Sequence, residues 1–169
     1  MSDTESLGYA VFTSDLPRVR ALLADGVDPD EPWGTGTSLL EVVDEPTEFF
    51  DEDAYGIAVA LLDAGASVDA SDSDGLRPIH VATRPAHRAL SLLLERGADI
   101  NARTLTEGRT PLHFAVDFES VDAVGLLLAN GADPTAADNN GETPLDLARR
   151  EALQSPSDDL SRIIGLLTP

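Results

Sequence analysis

The chain has 169 residues, a length that suits one domain, and 42% of them are hydrophobic, which excludes an intrinsically disordered chain. It carries 31 acidic residues against 11 arginines, with no lysine, for a formal net charge of −20. This balance argues against nucleic-acid partners and anionic membrane surfaces, because both bind Lys and Arg through phosphate. The absence of cysteine excludes disulfides, thiolate metal sites and thiol nucleophiles.

The chain begins without the cationic stretch and apolar run of a secretory signal, and it has no apolar run of about 20 residues that could span a bilayer. We therefore expect a cytoplasmic protein with no membrane partner. Abundant Ala, Asp and Arg without lysine is typical of GC-rich genes, which suggests a bacterial or archaeal source.

Two motifs recur along the chain. A leucine pair followed three residues later by glycine appears four times at similar intervals, and its glycines are Gly26, Gly65, Gly97 and Gly131. A proline motif appears three times, with its prolines at equal intervals: Arg77-Pro78-Ile79-His80, Thr110-Pro111-Leu112-His113 and Thr143-Pro144-Leu145-Asp146. Such periodicity predicts a repeat architecture.

The most regular unit predicts a pair of helices. Thr110 suits the cap of the first helix and Pro111 its first position, where a missing N–H needs no partner. Val124 and Leu127 give the second helix an apolar face, and Gly131 suits the left-handed residue that ends it. One such unit cannot bury its apolar face alone, so stacked units are expected to form a solenoid.

These motifs resemble the ankyrin repeat, a 33-residue unit whose signature includes T-P-L-H-x-A. The resemblance runs from about Leu7 to Leu167 and implies an all-α repeat solenoid with short β-turn fingers, each finger preceding two antiparallel helices. We expect one domain, 1–169, of about five units including N- and C-terminal caps. Their approximate bounds are 6–30, 31–70, 71–102, 103–136 and 137–169.

Several units depart from this pattern. In the second, Ser38 replaces proline, and the segment from Ser38 to Gly65 is longer than the equivalent segment from Pro111 to Gly131. The extra residues are expected as a loop within 44–53. The third unit is one residue short between its helices. In the fifth, 155–159 is expected to lengthen the connection between the helices.

The histidines do not suggest catalysis. His80 and His113 occupy the T-P-L-H position, where the resemblance implies a hydrogen bond to finger backbone, and His87 is expected to be solvated. No serine has a convincing His–acid partnership, so we expect no enzyme activity.

No cofactor or metal site is expected either. Residues 69–75 suggest a calcium loop, but Ala70 and Val81 occupy its first and twelfth positions, so the pattern fails. The acidic run 51–53 favours solvated charge over weak chelation of a cation. Residues 33–36 lack the lysine and glycine spacing of a phosphate loop.

The resemblance implies that partners dock on a concave face made by finger tips and first helices. In the fingers, the equivalent positions are Trp33, Gly36, Asp74, Leu76, Glu107, Arg109, Asn140 and Glu142. On the first helices, they are Asp44, Glu45, Arg84, Asp117, Phe118 and Arg150. Only part of this set is expected to matter, because few residues carry most interface energy.

The charge is concentrated in the first half. Residues 1–75 hold 18 acids and two arginines, a net of −16, whereas 76–169 hold 13 acids and nine arginines, a net of −4. An acidic field steers basic ligands and exposed aromatics anchor them. Phe49 and Phe50 are either such anchors or a cover folded back over the loop. The candidates in the acidic run are Asp44, Glu45, Glu48, Phe49, Phe50, Asp51, Glu52 and Asp53.

The sequence thus predicts a non-catalytic module, monomeric when free, that binds a basic protein through its acidic N-terminal half and concave face. One such module is an immunity protein or antitoxin that covers the cationic substrate-binding surface of a basic toxin such as a nuclease. The alternative is a structural or scaffolding protein whose acidity reflects solubility or a high-salt cytoplasm, which the uneven charge disfavours. A subunit of a larger assembly and an enzyme are the remaining alternatives.

Overall fold

The computed structural model describes residues 6–34, 36–44, 51–85 and 88–168. Across these ranges ten helices follow one another in five consecutive pairs, and two short strands precede the second pair. The helices are α1 (Leu7–Phe12), α2 (Leu16–Ala24), α3 (Ser38–Asp44), α4 (Glu52–Asp63), α5 (Pro78–Val81), α6 (Ala89–Glu95), α7 (Pro111–Asp117), α8 (Val121–Ala129), α9 (Pro144–Gln154) and α10 (Asp158–Leu167).

The pairs stack in chain order. The first helices form one layer, in which α1 contacts α3, α3 contacts α5, α5 contacts α7 and α7 contacts α9. The second helices form the other, with α2 against α4, α4 against α6 and α8 against α10. Leu39, Ile57, Leu93 and Leu127 lie fully buried in the shared core. This arrangement confirms the predicted all-α repeat solenoid.

Local sequence fixes where the helices begin and end. Pro78, Pro111 and Pro144 open α5, α7 and α9, where a residue without an N–H is tolerated. Ser120 caps α8 by accepting a hydrogen bond from the backbone N–H of Ala123. After α8, Gly131 adopts φ +90°, the left-handed conformation predicted for it.

Side chains also join each unit to the next. A side-chain oxygen in the loop after one second helix accepts a hydrogen bond from a backbone N–H in the following unit. The three pairs are Asp30 with Ser67, Asp69 with Asp99, and Asn101 with Asp133. Because this hydrogen bond recurs between successive units, it keeps their loops in equivalent positions.

A two-stranded hairpin forms the first finger. Its strands are β1 (Pro32–Trp33) and β2 (Gly36–Thr37), paired antiparallel with Trp33 opposite Gly36. The Trp33 ring lies against Gly8 of α1 so closely that a Cβ on this glycine would stand 2.1 Å from it. The hairpin is thereby packed against the first unit.

Two expectations about insertions need correction. The fifth unit's extra length lies in α9, which has 11 residues against seven in α7, so its connection is only 155–157. Arg149, Glu151 and Ala152 are good helix formers and Pro156 cannot continue a helix, which explains this extension. In the second unit, the acidic residues 51–53 form the cap and first turn of α4 rather than a loop.

The third unit has the shortest first helix of the five. Its first helix, α5, has four residues, consistent with the predicted loss of a residue before α6. None of the helices in the described ranges combines the length and apolar composition needed to cross a bilayer.

Candidate functional site

The carboxyl ends of the first helices present one row of equivalent residues. Each lies two positions after a buried small or β-branched residue, as Asp117 follows Ala115. In stacking order the row reads Phe12, Asp44, Arg84, Asp117 and Arg150. Its charges alternate after the first residue, so the four charged residues of the row carry no net charge.

Arg84 lies at the centre of this row. Its Nη2 donates a hydrogen bond to the Asp44 carboxylate at 2.7 Å, and its Nη1 donates to the backbone oxygen of Asp44 at 3.1 Å. The guanidinium lies 5.0 Å from the centre of the Phe118 ring, within cation–π distance. Two candidate residues, Asp44 and Phe118, are therefore joined through one arginine.

Arg109 makes an equivalent arrangement within the fourth unit. It donates from Nη2 to Asp117 at 2.9 Å and lies 5.6 Å from the centre of the Phe114 ring. Burial alone would lower the pKa of Arg109, but its hydrogen bond and attraction to Asp117 raise the pKa above its ordinary value. The Phe114 and Phe118 rings lie 6.4 Å apart, so the two arrangements are continuous.

Four arginines of the third unit reach back to carboxylates of the second. We call this set the arginine seam. It joins the two units at the fingers, at both ends of their helices and at the helix connection, so acids of the second unit are neutralised internally. The pairs are Arg77–Asp69, Arg84–Asp44, Arg88–Glu52 and Arg96–Asp63.

Other candidate residues have structural roles. The Asp51 carboxylate accepts hydrogen bonds from the backbone N–H groups of Asp53 and Ala54 and so caps α4. Trp33 is half-buried against α1, and Leu76 packs partly into the core. These three side chains are less available to a partner than the sequence alone suggested.

Four exposed carboxylates of the first half remain uncommitted. They belong to Asp25, Glu31, Asp53 and Asp74, and none forms an ion pair or accepts a hydrogen bond within the described ranges. Asp53 and Asp74 were predicted. Asp25 and Glu31 were not, although both lie in the half with the strongest negative charge.

Some predicted residues lie outside the described residues. These are Glu45, Glu48, Phe49 and Phe50, together with His87. Both interpretations of the phenylalanine pair therefore stay open.

The fourth finger displays a residue that the sequence analysis missed. Leu105 is 73% exposed, and the neighbouring Glu107 is exposed with its carboxylate 3.8 Å from Arg109. A signal was present in the spacing, because the segment from Gly97 to Pro111 is one residue longer than the equivalent segment from Gly65 to Pro78.

The two described histidines are structural. His80 accepts a hydrogen bond at Nδ1 from the Arg77 N–H, and its Nε2 lies 3.1 Å from the Ala102 carbonyl. His113 repeats this arrangement with Glu142. Burial lowers the pKa of both imidazoles, so both are neutral near pH 7. The predicted hydrogen bond to finger backbone is confirmed for His113, and His80 makes the equivalent bond to Ala102, directly before the fourth finger.

Metal ligands are not gathered in the described part of the chain. No group of three or more His, Asp or Glu side chains there could hold an ion.

The repeated helix pairs and fingers agree with comparisons to known proteins. A family model described as ankyrin repeats, in three copies, matches residues 52–138 and 104–155. The chain belongs to the ankyrin repeat family. Proteins of this family mediate protein–protein interaction, and the repeat itself is generally a non-catalytic module.

Several curated relatives share these ankyrin repeats. The chain is 33% identical to the nuclear factor NF-kappa-B p105 subunit of Gallus gallus, over 84% of this chain and 14% of that protein. It is 39% identical to the B-cell lymphoma 3 protein homolog of Mus musculus, over 87% and 33%. A third of the chain is 55% identical to 8% of the 2-5A-dependent ribonuclease of Mus musculus. The chain thus spans a third or less of these relatives.

Proposed function

We propose that this ankyrin repeat chain is a non-catalytic module that binds a basic protein through the acidic surface of its N-terminal half. The supporting observation is the set of uncommitted carboxylates at Asp25, Glu31, Asp53 and Asp74. Exposed, unpaired acids keep their charge available to a partner, whereas those in the arginine seam are already neutralised.

The positions of the ion pairs favour a binding surface on the N-terminal half over one at the carboxyl ends of the first helices. Asp44 and Asp117 meet Arg84 and Arg109, so a partner would have to displace an arginine to reach either one. Such displacement returns little free energy, because one ion pair replaces another. Basic groups of a partner gain more at acids that have no internal cation.

One use of such a module is inhibition by occlusion. We propose that the partner is a basic toxin or nuclease and that the chain acts as its immunity protein or antitoxin. The acidic surface would cover the cationic groups that bind the toxin's substrate. An acidic inhibitor also associates quickly with a basic target, since opposite fields steer the encounter.

The test is capture of a partner at two salt concentrations. Tagged chain is incubated with native lysate at about 50 mM and about 500 mM salt, between which the Debye length shrinks from roughly 14 Å to roughly 4 Å. We expect one basic protein, with a pI above about 9, to be retained at low salt and weakened at high salt. If the captured protein is a nuclease, adding the chain should reduce its activity in proportion to the fraction of nuclease that is bound.

Two results would contradict the proposal. A retained partner that is acidic, or whose retention ignores salt, would remove the electrostatic basis. A chain that is unfolded in dilute buffer and folds only at salt on the order of 1 M would instead support the alternative of acidity adapted to a high-salt cytoplasm. Circular dichroism at both salts makes that distinction.

A further inference from the structure

The fourth finger is one residue longer than its neighbours. In the third finger, Leu76 N–H donates to the Asp72 carboxylate, four residues back, and in the fifth Glu142 N–H donates to Asp138 in the same way. In the fourth, Arg109 N–H donates to the Thr104 hydroxyl, five residues back. The extra residue therefore enlarges the loop that this hydrogen bond closes.

Leu105 is an exposed apolar residue of this longer loop. Its side chain is 73% exposed, and the equivalent residues of the neighbouring fingers, Ser73 and Asn139, are exposed but polar.

The finger that presents Leu105 is held from both sides. Leu105 N–H donates to the Asp74 carbonyl at 2.7 Å, and Asn139 N–H donates to the Glu107 carbonyl at 2.8 Å. Gly75 permits the first of these contacts: it has φ +76°, and a Cβ there would lie 2.7 Å from the Leu105 nitrogen. An apolar side chain on a fixed backbone costs little entropy when a partner covers it.

Carboxylates flank this leucine. Asp74 is bonded to it through the backbone and has an exposed, uncommitted carboxylate, and Glu107 follows two residues later with its carboxylate 3.8 Å from Arg109. The other strongly exposed leucine, Leu153 at 88%, lies near the end of α9, where Glu151 is paired with Arg150. An exposed leucine and an unpaired carboxylate therefore lie together at Leu105 and Asp74.

We infer that Leu105, flanked by Asp74 and Glu107, is an apolar anchor for a basic segment of the protein partner. The occupant is an extended stretch in which one apolar side chain is flanked by Lys or Arg. The inference rests on the proposed function, because it takes the partner to be basic, and it adds where the partner's apolar contact is made.

The test selects ligands without knowing the natural partner. Random short peptides displayed on phage are selected against the full chain, and the enriched sequences are synthesised with a fluorescent label. We expect them to carry an apolar residue between basic ones. Their affinity is then measured by fluorescence anisotropy for the wild type, for Leu105→Ser and for the matched control Leu153→Ser.

Loss of the anchor should weaken binding by roughly tenfold or more, since each 1.4 kcal/mol of lost burial is a factor of ten. The Leu153→Ser variant should bind within about twofold of the wild type. Both variants should keep the wild-type urea midpoint, because both leucines are exposed.

The outcomes separate this inference from the proposed function. Equal binding by Leu105→Ser and the wild type, or the absence of any enriched peptide, would overturn the anchor. A variant carrying Asp25→Asn, Glu31→Gln and Asp53→Asn tests the proposed function in the same assay. If the peptides lose affinity for that variant but not for Leu105→Ser, the basic partner stands and the anchor falls.

Discussion

At the first position of α3, the hydroxyl of Ser38 is fully buried, and no described residue forms a hydrogen bond with it. Proline occupies the equivalent position in α5, α7 and α9. The sequence revealed the substitution but not its cost, because the absence of a partner depends on neighbours from other elements.

Replacing this serine should stabilise the protein. Ser38→Ala removes an unsatisfied buried hydroxyl, so we expect the free energy of unfolding to rise by about 1 kcal/mol. Urea unfolding with an unchanged m-value measures it. The control Ser73→Ala, at an exposed finger residue, should change it by less than about 0.5 kcal/mol. Destabilisation by Ser38→Ala would mean that the hydroxyl does have a partner.

The two buried histidines make stability depend on pH. Burial lowers the pKa of His80 and His113 below 6.5, so the unfolded chain binds protons that the folded chain does not. Stability should therefore fall as the pH drops through 6.5 towards the lower folded pKa values. Carboxylates whose pKa is lowered in the folded chain, such as Asp138, reduce stability further only near and below pH 3.8.

Urea midpoints at about pH 7.5 and about pH 5.5 measure this dependence. His113→Gln cannot take up the proton, so its unfolding free energy, although lower overall, should change less between the two values. A variant with the full wild-type pH dependence would show that His113 does not contribute to it.

At the scale of the helices, the sequence predicted the repeat well and its insertions less well. Proline and glycine positions located α7 and α8, because they act on backbone conformation within a few residues. The extra residues of the fifth unit were assigned to a connection, but they extend α9 to Gln154. Spacing gives the number of inserted residues, whereas the choice between loop and helix depends on local propensity and on packing against α10.

The arginine seam is a second feature that spacing did not predict. Arg84 and Asp44 are 40 residues apart, and their pairing follows from the equivalence of their positions in adjacent units. The family resemblance placed Arg84 and Asp44 separately on the concave face. The signal for their pairing is that equivalent positions in successive units carry opposite charges.

Breaking one link of the seam should cost measurable stability. Arg84→Met keeps an apolar stem over Phe118 but removes the ion pair and the cation–π contact, so we expect a loss of about 1 kcal/mol. The difference from the wild type should shrink between about 50 mM and 500 mM salt. Urea unfolding at both salts measures this.

Arg162→Met is the matched control, because Arg162 pairs with Asp159 within one helix and both side chains are more than half exposed. Its cost should stay below about 0.5 kcal/mol. If both variants cost the same, the seam contributes no more than an ordinary surface ion pair.

For the whole molecule, the fold and the distribution of charge have separate origins in the sequence. The fold follows from apolar periodicity and from turn residues, and the net charge of −20 is spread over it unevenly. Composition identified the acidic half correctly, but it could not separate carboxylates that cap helices or meet arginines from those left exposed. That separation needs the positions of residues in different repeat units, such as Glu52 and Arg88.

We propose that uncommitted acids of the first half bind a basic partner. Two variants that each remove three negative charges test it directly, with affinity for the captured partner measured by titration calorimetry at about 50 mM salt. The N-terminal variant carries Asp25→Asn, Glu31→Gln and Asp53→Asn. The control carries Glu95→Gln, Asp122→Asn and Asp158→Asn, three acids of the second half that form no ion pair within the described ranges.

We expect the N-terminal variant to bind roughly tenfold more weakly than the wild type, from about 0.5 kcal/mol for each of three contacts, and the control to stay within about twofold. Equal losses in the two variants would mean that the partner responds only to total charge. A greater loss in the control would place the binding surface in the second half and contradict the proposed function.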